Sequence, residues 1–420
     1  MDTRLGVYVH FPYCKAVCPY CNFNSHVVAE IPHARYADAI LAEGRTRVRE
    51  HALPRTGVES VYFGGGTPGL WRSSEIARVL RGLDDALHVP STAEITAEVN
   101  PGSVDVEALP ALRDAGVNRL SIGVQSLHDR HLYRLGRLHS ATDALHALSR
   151  ALEVGFRSVS IDFMFALPGQ AVAEWQEDLA RVAGLGAHHV SLYNLTVEEG
   201  TPLFDWVRRG QVKLPDEESE ASMFESAAQV LGEHGYEHYE VSNFARVGHR
   251  AVHNSLYWLG GEWLGLGAGA HGFLRSRGAD EGTRAGPAEA VGLRWADVDE
   301  PEDYMRAALA GARPEASHEW RSALDLVREE LMTGIRWLDG LDVDAFHVRH
   351  GVDLLAAYPE VIAGLARDGL AALSLGTPRR LVLSPQGLML LNRVAARFFE
   401  AEPSTRLPNM RLPNTRLPII

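Results

Sequence analysis

At 420 residues the chain has room for two or three domains of roughly 150 residues, or for one large α/β barrel with an appendage, which excludes a small disulfide-stapled scaffold. Hydrophobic residues at 46% and charged residues at 23% form an ordinary globular composition that excludes global disorder. Lys and Arg total 41 against 54 Asp and Glu, a net charge of −13, and no long basic run tracks a phosphate backbone, so nucleic acid is not an expected partner.

The first apolar run, Leu5–His10, predicts a strand, and it leads into a loop that holds all three cysteines of the chain: Cys14, Cys18 and Cys21. An odd, clustered set argues for metal rather than disulfide chemistry. Further β-branched runs at Ser60–Phe63, Glu94–Val99, Arg119–Ile122, Ser158–Phe163 and His189–Tyr193 predict strands, with another at Tyr239–Ser242. Helical periodicity fills the intervals at Pro32–Glu50, Ser73–Asp85, Val104–Ala115, Ala141–Gly155, Val172–Gly184 and Glu217–Gly235. Such alternation predicts βαβ units, a parallel sheet and a barrel or partial barrel. In that architecture ligands gather at the C-terminal ends of strands. Here those ends carry HFPYC, GGGTP, NPG, GVQ and ALPGQ, polar and glycine-rich loops that would converge on one rim.

Residues 275–297 are rich in Gly, Ala and charge and predict a mobile linker, placing a domain boundary at 275–300 after a core of residues 1–274. Beyond it, residues 301–400 predict a small α+β domain: helices at Glu302–Ala312, Ser322–Gly334, Val343–His347 and Leu354–Asp368, a hairpin of Leu373–Leu375 with Arg380–Leu383, and a closing helix Pro385–Phe399. Its winged-helix outline invites a nucleic-acid reading, which the lack of a basic helix opposes. In the tail, 401–420, an Arg-Leu-Pro repeat of period five from Arg406 onward predicts disorder, because proline at that spacing forbids a regular helix.

The Cys14-x3-Cys18-x2-Cys21 spacing leaves two chemistries open. A structural zinc would require a fourth protein ligand, His10 or His26. A [4Fe–4S] cluster would have three irons held by cysteine and the fourth open to a small molecule. The stretch HFPYCKAVCPYCNF resembles the signature of the radical S-adenosylmethionine superfamily. With YVHFPYC, YFGGGTP, EVNPG, SIGVQS, GRLHS and SIDFMFALPGQ, it resembles the branch that holds the oxygen-independent coproporphyrinogen III oxidases and the heme chaperones.

The resemblance implies a partial (β/α)6 TIM-like barrel with a small C-terminal α+β domain, a [4Fe–4S] cluster on Cys14, Cys18 and Cys21, and S-adenosylmethionine on its open iron. It implies cofactor contacts at Tyr8, Gly65, Gly66, Thr67, Glu98, Gln125, Arg137, Asp162 and Thr196. The oxidases carry a fourth cysteine where this chain has Phe23, and a longer extension ahead of the cluster loop, so the resemblance is closer to the chaperones. His253-Asn254-Ser255-Leu256-Tyr257-Trp258 matches the HNxxYW motif of that subgroup, and His253, Tyr257 and Trp258 are the expected heme contacts, the imidazole being read as exposed; the alternative is that His253 and Trp258 pack the last segment of the barrel against the second domain. The function implied is heme binding and transfer to an acceptor protein. The alternative is oxidative decarboxylation of coproporphyrinogen III. A cytoplasmic protein is expected, since no apolar stretch of about 18 residues and no signal-peptide pattern occurs, with at most peripheral membrane association and room for a homodimer.

Overall fold

The computed structural model describes residues 4–405 apart from 56, 104–105, 277–285 and 288. The chain divides into two compact units. One comprises the residues up to Leu256 with Gly261–Phe273 and Trp295–Ser317; the other comprises Tyr257–Gly260, Leu274–Arg294 and the residues from His318.

In the first unit six strands run parallel in chain order: β1 (Leu5–Phe11), β2 (Ser60–Gly65), β3 (Glu94–Val99), β4 (Arg119–Gln125), β5 (Ser158–Phe165) and β6 (His189–Asn194). Each is followed by at least one helix, as a series of right-handed crossovers requires. Val7, Val9 and Phe11 of β1 are fully buried, and the strands read as near-continuous apolar runs because both faces of a parallel sheet are covered. The sheet continues past β6 through β8 (Asn243–Ala245) to β7 (Glu237–Glu240), and past β1 through β9 (Glu262–Leu266), β10 (His271–Arg275), β11 (Gly292–Asp297) and β12 (Glu315–Arg321). β9 is parallel to β1, β10 antiparallel to β9, and β8 antiparallel to β6. The mixed sheet therefore has a parallel centre and turns antiparallel at β10 on one side and at β8 on the other.

Two expectations are corrected here. The strand expected at Tyr239–Ser242 begins two residues earlier and ends at Glu240 as β7, and Val241 and Ser242 form the tight hairpin turn to β8, where Glu240 bonds the Ser242 N–H and the Asn243 amide. The stretch read as a linker contains β11, whose alternation is hidden by its Gly- and Ala-rich approach; Trp295 within it is buried, and a Cβ on Gly272 would lie 2.0 Å from its ring. Residues 277–285 and 288 of that linker, and the repeat tail from 406, lie outside the described residues.

The second unit holds a three-stranded antiparallel sheet in the order β13 (Leu341–Asp342), β15 (Arg380–Leu383), β14 (Ala371–Ser374), one strand more than the expected hairpin. The helix expected over Leu354–Asp368 is two, Leu354–Ala357 and Pro359–Arg367, because Pro359 has no N–H for the preceding turn and starts a new helix. Glu330, on helix Ala323–Gly334, has its buried carboxylate held by Arg349 and by His350 at 2.7 Å.

Candidate cofactor site

The carboxyl ends of the six parallel strands enclose a cavity of about 490 Å³, within the range typical of small-ligand sites. Cys14, Cys18 and Cys21 line one wall and are only partly exposed. Their loop is shaped by its own backbone: the Cys14 N–H donates to the His26 carbonyl at 2.9 Å and the Cys21 N–H to the Cys18 carbonyl at 3.0 Å. It docks on the turn after β2, where the Gly66 N–H donates to Phe11 O at 2.8 Å and the Thr67 N–H to Tyr13 O at 2.9 Å. A side chain on Gly66 would stand 2.7 Å from the Tyr13 carbonyl, and Gly65 has φ +112° with the His10 ring 2.5 Å from where its Cβ would be. Glycine is required at both for the loop and strand to approach so closely.

Glu98, at the end of β3, faces this turn: one carboxylate oxygen accepts the Tyr62 hydroxyl at 2.7 Å and the other the Gly65 N–H at 3.1 Å. Burial, with the nearby Asp162, pushes its pKa up to about 7 against the pull of the Tyr62 bond. Asp162 on β5 is likewise raised by burial, and both its oxygens accept from the Ser121 hydroxyl at 3.0 Å. Register places these groups side by side, with Glu98 opposite Ser121 and Asp162 opposite both Gly123 and Ser191. Two half-buried carboxylates lining one cavity favour a cationic guest.

Arg137 supplies the opposite charge. Its guanidinium donates to Gly123 O at 2.9 Å and lies 3.8 Å from the Cys18 sulfur, while its buried Nε has no partner. An unsatisfied buried donor suits a carboxylate ligand. Gln125, where β4 breaks register beside Gly123, holds φ +65°, a left-handed conformation rare outside glycine, and projects into the cavity lining. Thr196, exposed beyond β6, also lines it.

Tyr8 stands apart from the lining. Its hydroxyl bonds His10 Nδ1 at 3.0 Å and its ring stacks on Tyr62. Tyr62 and Ser121, which orient the two carboxylates, went unnoticed in the sequence. Only register against β3 and β5 could single them out, since a strand tyrosine or serine is unremarkable alone.

Neither histidine proposed to complete a zinc site points to the thiols. His10 bonds Tyr8 and the Asn24 carbonyl, and His26 bonds the Asn24 side chain at 2.8 Å. The three thiols also do not converge within 4.8 Å of one another. Sulfurs sharing one zinc at about 2.3 Å would stand at most about 4.6 Å apart. The donor set thus fits a cluster with one open iron better than a single ion. Burial pushes the Cys14 and Cys21 thiols up, partly offset by the Thr67 hydroxyl at Cys14 and by the Phe23 backbone at Cys21, so loading metal must displace protons.

The heme candidates fall differently. His253 is 2% exposed, with Nδ1 bonded to Ser60 Oγ at 2.8 Å and its ring stacked 5.1 Å from Tyr62, and burial lowers its pKa to about 3. The reading of an exposed imidazole is corrected: helix Val252–Trp258, unanticipated from the sequence, turns His253 into the sheet. Tyr257 and Trp258 are partly exposed, and Trp258 Nε1 is a buried donor without a partner.

Comparison with known proteins places the chain in a family. The profile of the Radical SAM superfamily matches residues 8–182, and that of the HemN C-terminal domain matches residues 322–390. The heme chaperone HemW of Bacillus subtilis is 32% identical over 394 residues, covering 94% of this chain and 98% of that one. Radical S-adenosyl methionine domain-containing protein 1, mitochondrial, of Bos taurus is 40% identical over 335 residues, 80% of this chain and 74% of that one. Among solved structures, coproporphyrinogen III oxidase (HemN) from Escherichia coli superposes with a TM-score of 0.74 at 23% identity over 94% of this chain and 90% of that one, a likeness of fold. The chain belongs to the HemW family of the radical S-adenosylmethionine superfamily. That superfamily's cofactors are a [4Fe–4S] cluster and S-adenosylmethionine, and the residues here fit both. Among the described residues no helix is long and apolar enough to cross a membrane.

Proposed function

We propose that this protein is a heme chaperone: it binds heme and passes it to an acceptor protein, with a cluster held by Cys14, Cys18 and Cys21 and an exchangeable S-adenosylmethionine. The observation that carries this reading is the 32% identity to a heme chaperone HemW across 98% of that protein. Phe23 supports it. It is 67% exposed, lines the cavity, and occupies the position where the oxidases are expected to carry a fourth cysteine.

When bound, the cluster and S-adenosylmethionine supply one-electron chemistry at the sulfonium. The chain's own groups bind and orient. Glu98 and Asp162 would receive the cationic groups of the cofactor, the Arg137 guanidinium would take its carboxylate, and the Gly65–Thr67 turn would let main chain approach the ligand closely. Heme is assigned to the His253–Trp258 segment, where the imidazole, hydrogen-bonded to Ser60 and buried, would have to turn out of this setting to meet iron. A cytoplasmic location and, at most, peripheral contact with a membrane accompany the proposal, and a homodimer is compatible with it.

The test uses anaerobically reconstituted protein. It should bind heme stoichiometrically, more weakly in His253→Ala, and should make no protoporphyrinogen IX from coproporphyrinogen III with S-adenosylmethionine and reductant. Sustained turnover would replace the chaperone reading with the oxidase. Unchanged heme binding in His253→Ala would remove that residue from the heme site.

A further inference from the structure

Outside the cavity, the loop after β4 and the helix after β5 bring a second set of donors together. His128 is the extended residue that opens helix Asp129–Arg134, and Glu174 and Asp178 share one face of helix Val172–Gly184, four residues apart. The ligand atoms of these three side chains lie within 4.8 Å of one another. His128 Nε2 is 3.1 Å from Asp178 Oδ1 and 3.6 Å from Glu174 Oε1. Donors placed about 2.0–2.2 Å from a tetrahedral ion stand roughly 3.3–3.6 Å apart, so the observed spacings bracket those of a filled site.

Two buried atoms at this place lack partners. The Asp178 side chain is 1% exposed and its Oδ2 bonds nothing, and His131, one turn beyond His128, is buried with its Nδ1 unpaired. His131 Nε2 meets Glu174 Oε1 at 2.7 Å, the arrangement in which a histidine orients a ligating carboxylate from behind. The other polar contacts are two arginines on the surface side: Arg130 pairs with Glu174 Oε2, and Arg181 lies 3.7 Å from Asp178 Oδ1. Both are more than half exposed, at 54% and 53%, and can withdraw into water without leaving a buried charge.

We propose that His128, Glu174 and Asp178 form a site for a divalent first-row transition cation, zinc above all, with His131 positioning Glu174. One imidazole and two carboxylates suit zinc, and three protein ligands leave a fourth place for water. The ion ties the 126–137 segment, which follows Gln125 and ends at Arg137 in the cavity wall, to the helix after β5. It thereby steadies two cofactor-facing side chains from outside the cavity.

Cluster-loaded protein, equilibrated with zinc chloride and desalted, should retain about one zinc per chain beside its iron. His128→Gln and Asp178→Asn should each weaken zinc binding about 100-fold, and His131→Asn about 10-fold, with iron content and cluster absorbance unchanged. The partly exposed His128 and the near-isosteric Asp178→Asn change keep the fold testable, and the unfolding midpoint of each variant confirms it. Zinc absent from the wild-type protein, or retained equally by the His128 and Asp178 variants, would leave only an ion-pair network and overturn the site.

Discussion

His253 shows how much a single residue's setting matters. Its imidazole, sealed against Ser60 and Tyr62, has a pKa of about 3, whereas an unfolded histidine titrates near 6.5. Between these values the unfolded chain takes up a proton that the folded chain refuses. Stability is therefore intact above pH 6.5 and is lost as the pH falls toward 3, by on the order of 5 kcal/mol at full range. His253→Gln should flatten this dependence, so that urea midpoints of variant and wild type converge as the pH drops from 7 toward 5; parallel curves would show that the imidazole is not the titrating group. The cysteines were legible from spacing alone, and Cys18→Ser should remove the iron chromophore while the far-ultraviolet spectrum persists. The sequence left a packed His253 and a heme-facing one both open, because a short HNxxYW motif carries no record of which strand its helix meets.

At the scale of elements, the helix Ala141–Val154 was readable end to end. Ser140 and Asp143 exchange bonds in a capping box, with the Asp143 N–H donating to Ser140 Oγ at 3.2 Å and the Ser140 N–H to Asp143 Oδ2 at 2.8 Å, and Gly155 closes the helix at φ +78°. Ser140→Ala should cost about 1 kcal/mol in equilibrium unfolding and leave the cluster intact. The turn after β2 carries a different consequence. Gly66→Ala would press a methyl against the Tyr13 main chain beside Cys14, so iron retention after reconstitution should fall sharply even where the protein stays folded. The short helices Asp129–Arg134 and Val252–Trp258 escaped sequence reading because each is held by packing rather than by a long apolar period.

At the scale of the whole molecule, distant segments of the first unit are joined through a buried charge. Arg47, 0% exposed on helix His33–Glu50, reaches Glu43 at 3.0 Å, Asp297 at 2.8 Å and Glu315, while its guanidinium lies 4.4 Å over the Trp295 ring. Burial and the adjacent Glu43 push the Asp297 carboxyl up, against the pull of Arg47. Arg47→Met would leave three carboxylates without their cation, and a loss of about 3–5 kcal/mol in urea unfolding is expected. Arg47→Lys should recover only part of it, because an ammonium cannot serve three acceptors in the planar geometry of guanidinium. Asp297 and Glu315 lie within and beyond the segment that composition marks as a linker, which is why local pattern could not reveal the pairing.

The amino-acid sequence by itself determined the alternation of strands and helices, the three-thiolate loop, the glycine turn that accepts it and membership of the superfamily, since all of these are local in spacing. Tertiary structure alone decided strand register, which sets Tyr62 behind Glu98 and Ser121 behind Asp162, the inward turn of His253, and the meeting of His128 with Glu174 and Asp178. These depend on contacts between residues far apart in the chain, which side-chain periodicity cannot encode.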